Sequence, residues 1–207
     1  MKILSKLALL SAAVSFLAAQ ANASEPIAIN LTNKAALLDG RCGGDEWDAA
    51  TKVELPAQAS FYVMHDQEYF YICVKGTAED YTVLDLYIEH PETGALHKFH
   101  LSAQMGEGIF RNNEWEPASG PWDIKDYAGF WVPYAGLEDP ENRKNPRFAR
   151  GTHRQVQIAR KKFPGDSWNM MIGVSGMRRE GEPVQVTYPE KAVGTDKSTW
   201  RKYAFSK

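Results

Sequence analysis

Apolar and polar residues alternate with a period of two through most of the chain, and this pattern predicts strands. Ser60–Met64 and Tyr69–Val74 are rich in aromatic and β-branched residues, and His65-Asp66-Gln67-Glu68 between them suits a hairpin connection. In Val83–Glu89 the residues Leu84, Leu86 and Ile88 share one apolar face, which is assigned to the core. Ala95–Leu101 follows a good turn, Pro91-Glu92-Thr93-Gly94. Gln155–Ala159 and Trp168–Val174 are expected to pair around Pro164-Gly165-Asp166, with Trp200–Phe205 as a closing strand. Helical signals are few. Asp45–Ala50 holds a single turn, and Arg154–Phe163 reads either as a strand or as a basic helix. Residues 106–153 carry Gly, Pro, Asn and aromatics, among them Trp115, Trp122, Tyr127, Phe130 and Trp131. That stretch is expected to be a long ordered loop, the kind that usually carries function. Many short strands separated by turns predict an all-β, two-sheet β-sandwich in a single domain.

The first residues break the alternation. Lys2 and Lys6 precede an apolar run, Leu7–Ala19, and Ala21-Asn22-Ala23 is a small-x-small cleavage site. Residues 1–23 therefore read as a secretory signal peptide cleaved after Ala23, leaving 24–207 as the mature domain in the periplasm or outside the cell. No apolar run reaches the ~18–20 residues of a membrane-spanning helix. Export also settles how to read the two cysteines. In an oxidising compartment Cys42 and Cys73 are expected to form a structural disulfide, since they lack the close C-x-x-C spacing of redox or metal pairs. Closing a loop of this size contributes about 3–4 kcal/mol by chain-entropy reasoning.

Composition narrows the class without naming a chemistry. The chain of 207 residues is 43% hydrophobic and 12% aromatic, ample apolar surface to offset ordering entropy, so disorder is excluded. A formal charge of −2 argues against a dedicated nucleic-acid binder. Charge is unevenly spread: residues 24–140 hold 20 acidic and 7 basic side chains, residues 141–207 hold 6 and 15. Strand-like runs continue through both parts without a Pro/Gly/Ser linker, so the two halves are read as one domain whose parts attract each other.

Enzyme templates find little support. There is no G-x-G-x-x-G, phosphate loop, H-E-x-x-H or calcium-loop repeat. Gly173-Val174-Ser175-Gly176 lacks the spacing of a nucleophile elbow. His97 and His100 fall on opposite faces of a strand and do not chelate one ion as a pair. The acidic pairs Asp45-Glu46 and Asp85/Glu89 are read as surface carboxylates.

Two segments resemble a known family. Leu38-Asp39-Gly40 followed by Asp45-Glu46-Trp47 and Ala49-Ala50 resembles the opening of family 9-like carbohydrate-binding modules and DOMON-type domains. Phe61-Tyr62-Val63, His65-Asp66, Tyr69 and Tyr71-Ile72-Cys73-Val74 are similar to that family's next hairpin, in the same order and spacing. His100–Gln104 and Val156-Gln157-Ile158 with Phe163 are similar to its middle and rear. The resemblance implies a mostly antiparallel β-sandwich that binds rather than catalyses. Members clamp a terminal sugar between two tryptophans, often with structural calcium. On this reading the ligand is a carbohydrate or glycan, and Trp115, Trp122 and Trp131, with Asn145, Arg147 and Arg150, are the candidate binding residues, while Trp47 is expected to pack as a plug. The alternative is a haem b-binding DOMON-type electron-transfer domain with axial Met and His or Lys, for which Met64-His65, Met105 and Met170-Met171 are candidates. A third reading is an envelope interaction or accessory protein.

Overall fold

The computed structural model describes residues 25–120, 123–130, 134–139, 141, 144–148 and 151–207, without the side chains of 134–139 and 144–148. Residues 1–23, and with them the signal peptide, lie outside the described residues. Among the described residues, fifteen strands account for nearly all the regular structure. They are β1 (Ile27–Leu31), β2 (Thr51–Leu55), β3 (Ala59–His65), β4 (Tyr69–Lys75), β5 (Val83–Glu89), β6 (Leu96–Leu101), β7 (Met105–Arg111), β8 (Glu114–Pro117), β9 (Tyr127–Phe130), β10 (Tyr134–Asp139), β11 (Lys144–Phe148), β12 (His153–Ala159), β13 (Ser167–Arg179), β14 (Glu182–Tyr188) and β15 (Arg201–Phe205).

They build the expected β-sandwich. The first sheet runs β8-β7-β6-β5-β13, with β15 and β14 sharing the far edge of the long strand β13. The second runs β3-β4-β12-β9, with β2 along the outer edge of β3. β1 joins the two. Its first half pairs in parallel with β15 and its second half with β3, so one strand is stitched into both layers.

Period-two alternation fills the space between the sheets. Leu84, Leu86 and Ile88 of β5 are fully buried, as their spacing requires, against Phe61, Phe70, Ile72, Val74, Val156 and Ile158 of the second sheet. Trp168 sits among Phe70, Phe163 and Phe205 in edge-to-face contacts and donates its indole N–H to the Phe163 carbonyl, so its polar atom is satisfied inside the core. Four ion pairs, Glu107–Lys162, Asp80–Arg179, Glu89–Lys197 and Asp126–Lys161, each join an acid of the front part to a base of the rear part. The front and rear parts of the chain thus meet through paired charges.

Two expectations need correction. Arg154–Phe163 is strand up to Ala159 and then a single 3₁₀ turn, Arg160–Lys162. It does not pair with β13: β12 belongs to the second sheet, between β4 and β9, and the turn with Phe163–Asp166 carries the chain over to the first. The stretch 106–153 is also less irregular than expected, for it holds β7 to β11. Asn112 and Asn113 both have positive φ, 51° and 66°, between β7 and β8. That is the two-residue hairpin turn with both central residues left-handed, which Asn tolerates and which matches strand twist. The Asn-Asn pair was the available signal. It is masked because β7 and β8 lie near a sheet edge and carry Gly and Glu rather than a strong apolar alternation.

The outer face of the second sheet is covered by the loop from β1 to β2. Cys42 and Cys73 are disulfide-bonded, and Trp47 is 3% exposed against Met64, Tyr71 and Cys73. Gln155, fully buried, accepts from Gly40 N–H (2.6 Å) and donates to the carbonyls of Leu37 (3.0 Å) and Arg41 (2.7 Å). Gly40 has φ +80°, and a Cβ there would overlap the Phe130 ring at 2.3 Å, so only glycine lets the loop lie this close. The Leu38-Asp39-Gly40 and Asp45-Glu46-Trp47 residues of the family resemblance are therefore a strap fastened by a disulfide, a glutamine and an indole.

Candidate functional site

Strand alternation places a trough on the first sheet. Lys98 and His100 of β6 point outward, as do Gly106 and Gly108 of β7 in register with them, followed by Trp115 and Pro117 of β8. The middle strand thus offers bare backbone between two side-chain walls. A Cβ at Gly106 would meet nothing within 4 Å, and one at Gly108 would come to 3.2 Å from the Glu116 carbonyl and 3.6 Å from Trp115. The trough belongs to a cleft of about 460 Å³ whose far rim is made by Ser119, Gly120, Asp123 and Ile124, and whose lining also takes in Gln104, Met105, Glu107, Glu116 and Tyr127.

Trp115 is half-buried. It packs against Tyr87 (5.5 Å between ring centroids) and Phe110 (5.4 Å), and the Lys98 ammonium lies over its ring at 5.3 Å. A ring stacking on that face displaces a flexible lysine head. Tyr127 holds its proton: burial, then the charges of Glu107 and Asp123, push its phenol up to about 12. Beneath it Glu107 accepts from His97 Nδ1 at 2.7 Å and from Lys162 Nζ at 2.9 Å, so the carboxylate enters the sandwich paired. His100, on the wall, is held at both nitrogens, Nδ1 by Asp85 Oδ1 and Nε2 by Ser102 Oγ, each at 2.8 Å. His97 and His100 do lie on opposite faces, one inside and one outside.

Of the sequence-derived binding residues, Trp115 lines the cleft. Trp122, Trp131 and Arg150 lie outside the described residues, and Asn145 and Arg147 fall on β11 with their side chains outside them. Sequence reasoning missed Gly106, Gly108 and Tyr127, whose role depends on register across three strands and on the approach of β9. Met64 and His65 point to opposite faces of β3. Both His65 ring nitrogens sit 2.9 Å from backbone carbonyl oxygens, of Asp66 and of Ser206. Met170 is in the core, while Met171 packs on the outer face with Leu96, Ala192 and Trp200. Among the described residues no three His, Cys, Asp or Glu side chains converge as metal ligands, and no helix is long and apolar enough to cross a membrane.

No family model matches the chain, and comparison with curated proteins finds no relative. Among solved structures it is similar to a presumed carbohydrate-binding protein from Bacteroides uniformis, with a TM-score of 0.54 at 10% identity, over 88% of this chain and 99% of that one. A family 9 carbohydrate-binding module from Caldicellulosiruptor kristjanssonii with cellotriose aligns over 88% of this chain and 94% of its own, with a TM-score of 0.48 and 13% identity. The same module with glucose gives 0.46 and 13%, over 86% and 95%. At such identities the likeness is one of fold, and the fold shared with the Bacteroides uniformis protein is in keeping with the β-sandwich expected from the sequence.

Proposed function

We propose that the chain is an exported carbohydrate-binding module that holds a glycan in the cleft on β6–β8 without cleaving it. The observation that carries this reading is the trough itself: backbone floor at Gly106 and Gly108, an indole wall at Trp115, and donors and acceptors from Lys98, Gln104, Glu116 and Asp123 around it. A sugar ring has C–H faces that suit an aromatic plane and hydroxyls that need several convergent polar partners. The fold it shares with a presumed carbohydrate-binding protein supports the same class of ligand. Export is supported by the signal-peptide pattern of residues 1–23 and by the Cys42–Cys73 disulfide, a bond that persists in oxidising compartments. Trp122 and Trp131 are further stacking candidates in the same part of the chain.

Glycan-array screening followed by calorimetry tests the proposal. A Cβ at Gly106 meets nothing within 4 Å, so Gly106→Leu is expected to fold while its side chain covers the floor and raises Kd at least about tenfold, or 1.4 kcal/mol. Unchanged binding in both Gly106→Leu and Trp115→Ala would place the glycan elsewhere, with Trp122→Ala/Trp131→Ala as the next variant.

A further inference from the structure

Beside the cleft three side chains form a hydrogen-bonded relay that the binding reading does not use. Asp85 on β5 is the direct cross-strand partner of His100 on β6, and Ser102 follows two residues later, where the chain turns toward β7. Asp85 Oδ1 lies 2.8 Å from His100 Nδ1, and His100 Nε2 lies 2.8 Å from Ser102 Oγ. An ionised carboxylate only accepts, so Nδ1 carries a proton, and in the neutral imidazole Nε2 is then the acceptor that faces the Ser102 hydroxyl. Gln104 N–H donates to Ser102 Oγ at 3.3 Å, which leaves the hydroxyl proton directed at the histidine. Nucleophile, base and orienting carboxylate thus stand in the order and polarity that activate a serine.

Two further features suit acyl transfer. The backbone N–H of Ala103, next after the serine, and the Gln104 carboxamide have no partner among the described residues. An N–H directly after the nucleophile is one of the recurring donors to a developing oxyanion. His100 and Gln104, which flank Ser102 in the chain, both line the cleft, and the His100 side chain is 40% exposed, so a ligand in the cleft and water both reach the histidine.

We propose that Ser102 is a catalytic nucleophile with His100 as its general base and Asp85 as a positioning residue, acting on an ester carried by a ligand in the cleft. Ser102 Oγ adds to the ester carbonyl carbon while its proton passes to His100 Nε2 and the carbonyl electrons move onto oxygen. The tetrahedral adduct collapses, the alcohol leaves with the proton from His100, and the acyl group stays on Ser102. Water, deprotonated by His100, then releases the carboxylic acid and restores the serine. The chain order Asp85, His100, Ser102 is one of several in which such relays occur, and they are recognised by geometry rather than by sequence.

The test is covalent labelling of the full mature chain with a fluorophosphonate probe at pH 8, read by intact mass and peptide mapping. A parallel assay follows hydrolysis of 4-nitrophenyl acetate. One adduct at Ser102 is expected, absent in Ser102→Ala and formed about 10²-fold or more slowly in His100→Gln. Asp85→Asn is expected to slow it at least about tenfold. Thermal melts confirm that each variant is folded. No adduct at Ser102, or equal labelling rates in wild type and folded His100→Gln, overturns the proposal. Glycan binding by Ser102→Ala is measured separately: loss of labelling with retained binding supports both readings, whereas labelling of a wild-type chain that binds no glycan sinks the binding proposal and leaves the serine standing.

Discussion

On the outer face of β3 and β4 an indole, Trp47, is 3% exposed; on the outer face of β7 and β8 another, Trp115, is only half-buried. Trp115 stands on β8 itself, whereas Trp47 is carried onto the second sheet by the β1–β2 loop. The difference lies in what the chain lays over each sheet face. The β1–β2 loop crosses the second sheet and is fixed there by Cys42–Cys73 and by three hydrogen bonds to Gln155. Over the first sheet, Ala192 and Trp200 cover Leu96 and Met171 and stop short of Gly106 and Gly108. One outer face became a second small core and the other kept a cleft. Which outer face of this β-sandwich is sealed is thus decided by where the loops come to rest, and strand alternation says little about it.

Mutations at the two indoles give the largest expected contrast. Trp47→Ala removes a fully packed side chain and is expected to cost about 3–5 kcal/mol, seen as a large fall in the denaturation midpoint. Trp47→Phe is expected to cost less, since the indole N–H is buried without an acceptor among the described residues. Trp115→Ala is expected to cost about 1–2 kcal/mol of stability while weakening glycan binding. Equal stability losses would break the contrast. Next comes the strap's covalent anchor: Cys42→Ser/Cys73→Ser is expected to lose about 3–4 kcal/mol and to lower Tm by about 10 °C, with the cleft unaffected.

A smaller effect is expected from the segment that half-covers the first sheet. Glu89 meets Lys197 Nζ at 2.6 Å and Asn169 Nδ2 at 3.1 Å. Burial raises its carboxyl, but the hydrogen bonds from Lys197 and Asn169 and the lysine charge outweigh this and leave its pKa below 4.5. A carboxyl depressed on folding contributes stability above its unfolded pKa, and that contribution is lost as pH falls through the folded value. Glu89→Gln is therefore expected to flatten the loss of stability on acidification below about pH 4.5, measured by denaturant titration across pH. Smallest of all is Lys34→Ala. Its pairing with Asp45 at 3.3 Å lies on the exposed surface of the strap, and no measurable change in Tm is expected. A clear loss there would mean that surface charge, rather than the disulfide and the plug, holds the strap.

Much of the fold was legible in the residues. Leu84, Leu86 and Ile88 identified the core face of β5, and Phe61 to Val74 marked the central hairpin. The cysteine count and the export pattern led to the disulfide. Less could be read where strands lie near an edge. β7 and β8 lack apolar alternation because two outward positions of β7 are glycines, the very feature that opens the trough. Trp115 was named from sequence for its type and its irregular surroundings, while its partners Lys98, Gly108 and Tyr87 come from three different strands. Asp85 and His100 were each weighed alone as surface carboxylate and half of a metal pair; only their registration across β5 and β6 makes them a relay.

The sequence by itself determined the secondary-structure class, the inward faces of the central strands, the disulfide and the attraction between an acidic front and a basic rear, because each depends on periodicity, composition or counting along the chain. Tertiary structure alone decided which outer surface is sealed and which stays open, that β12 and β13 part into different sheets, and that a histidine stands between a carboxylate and a serine. These depend on cross-strand register and on where loops come to rest, quantities set by contacts between residues far apart in the chain.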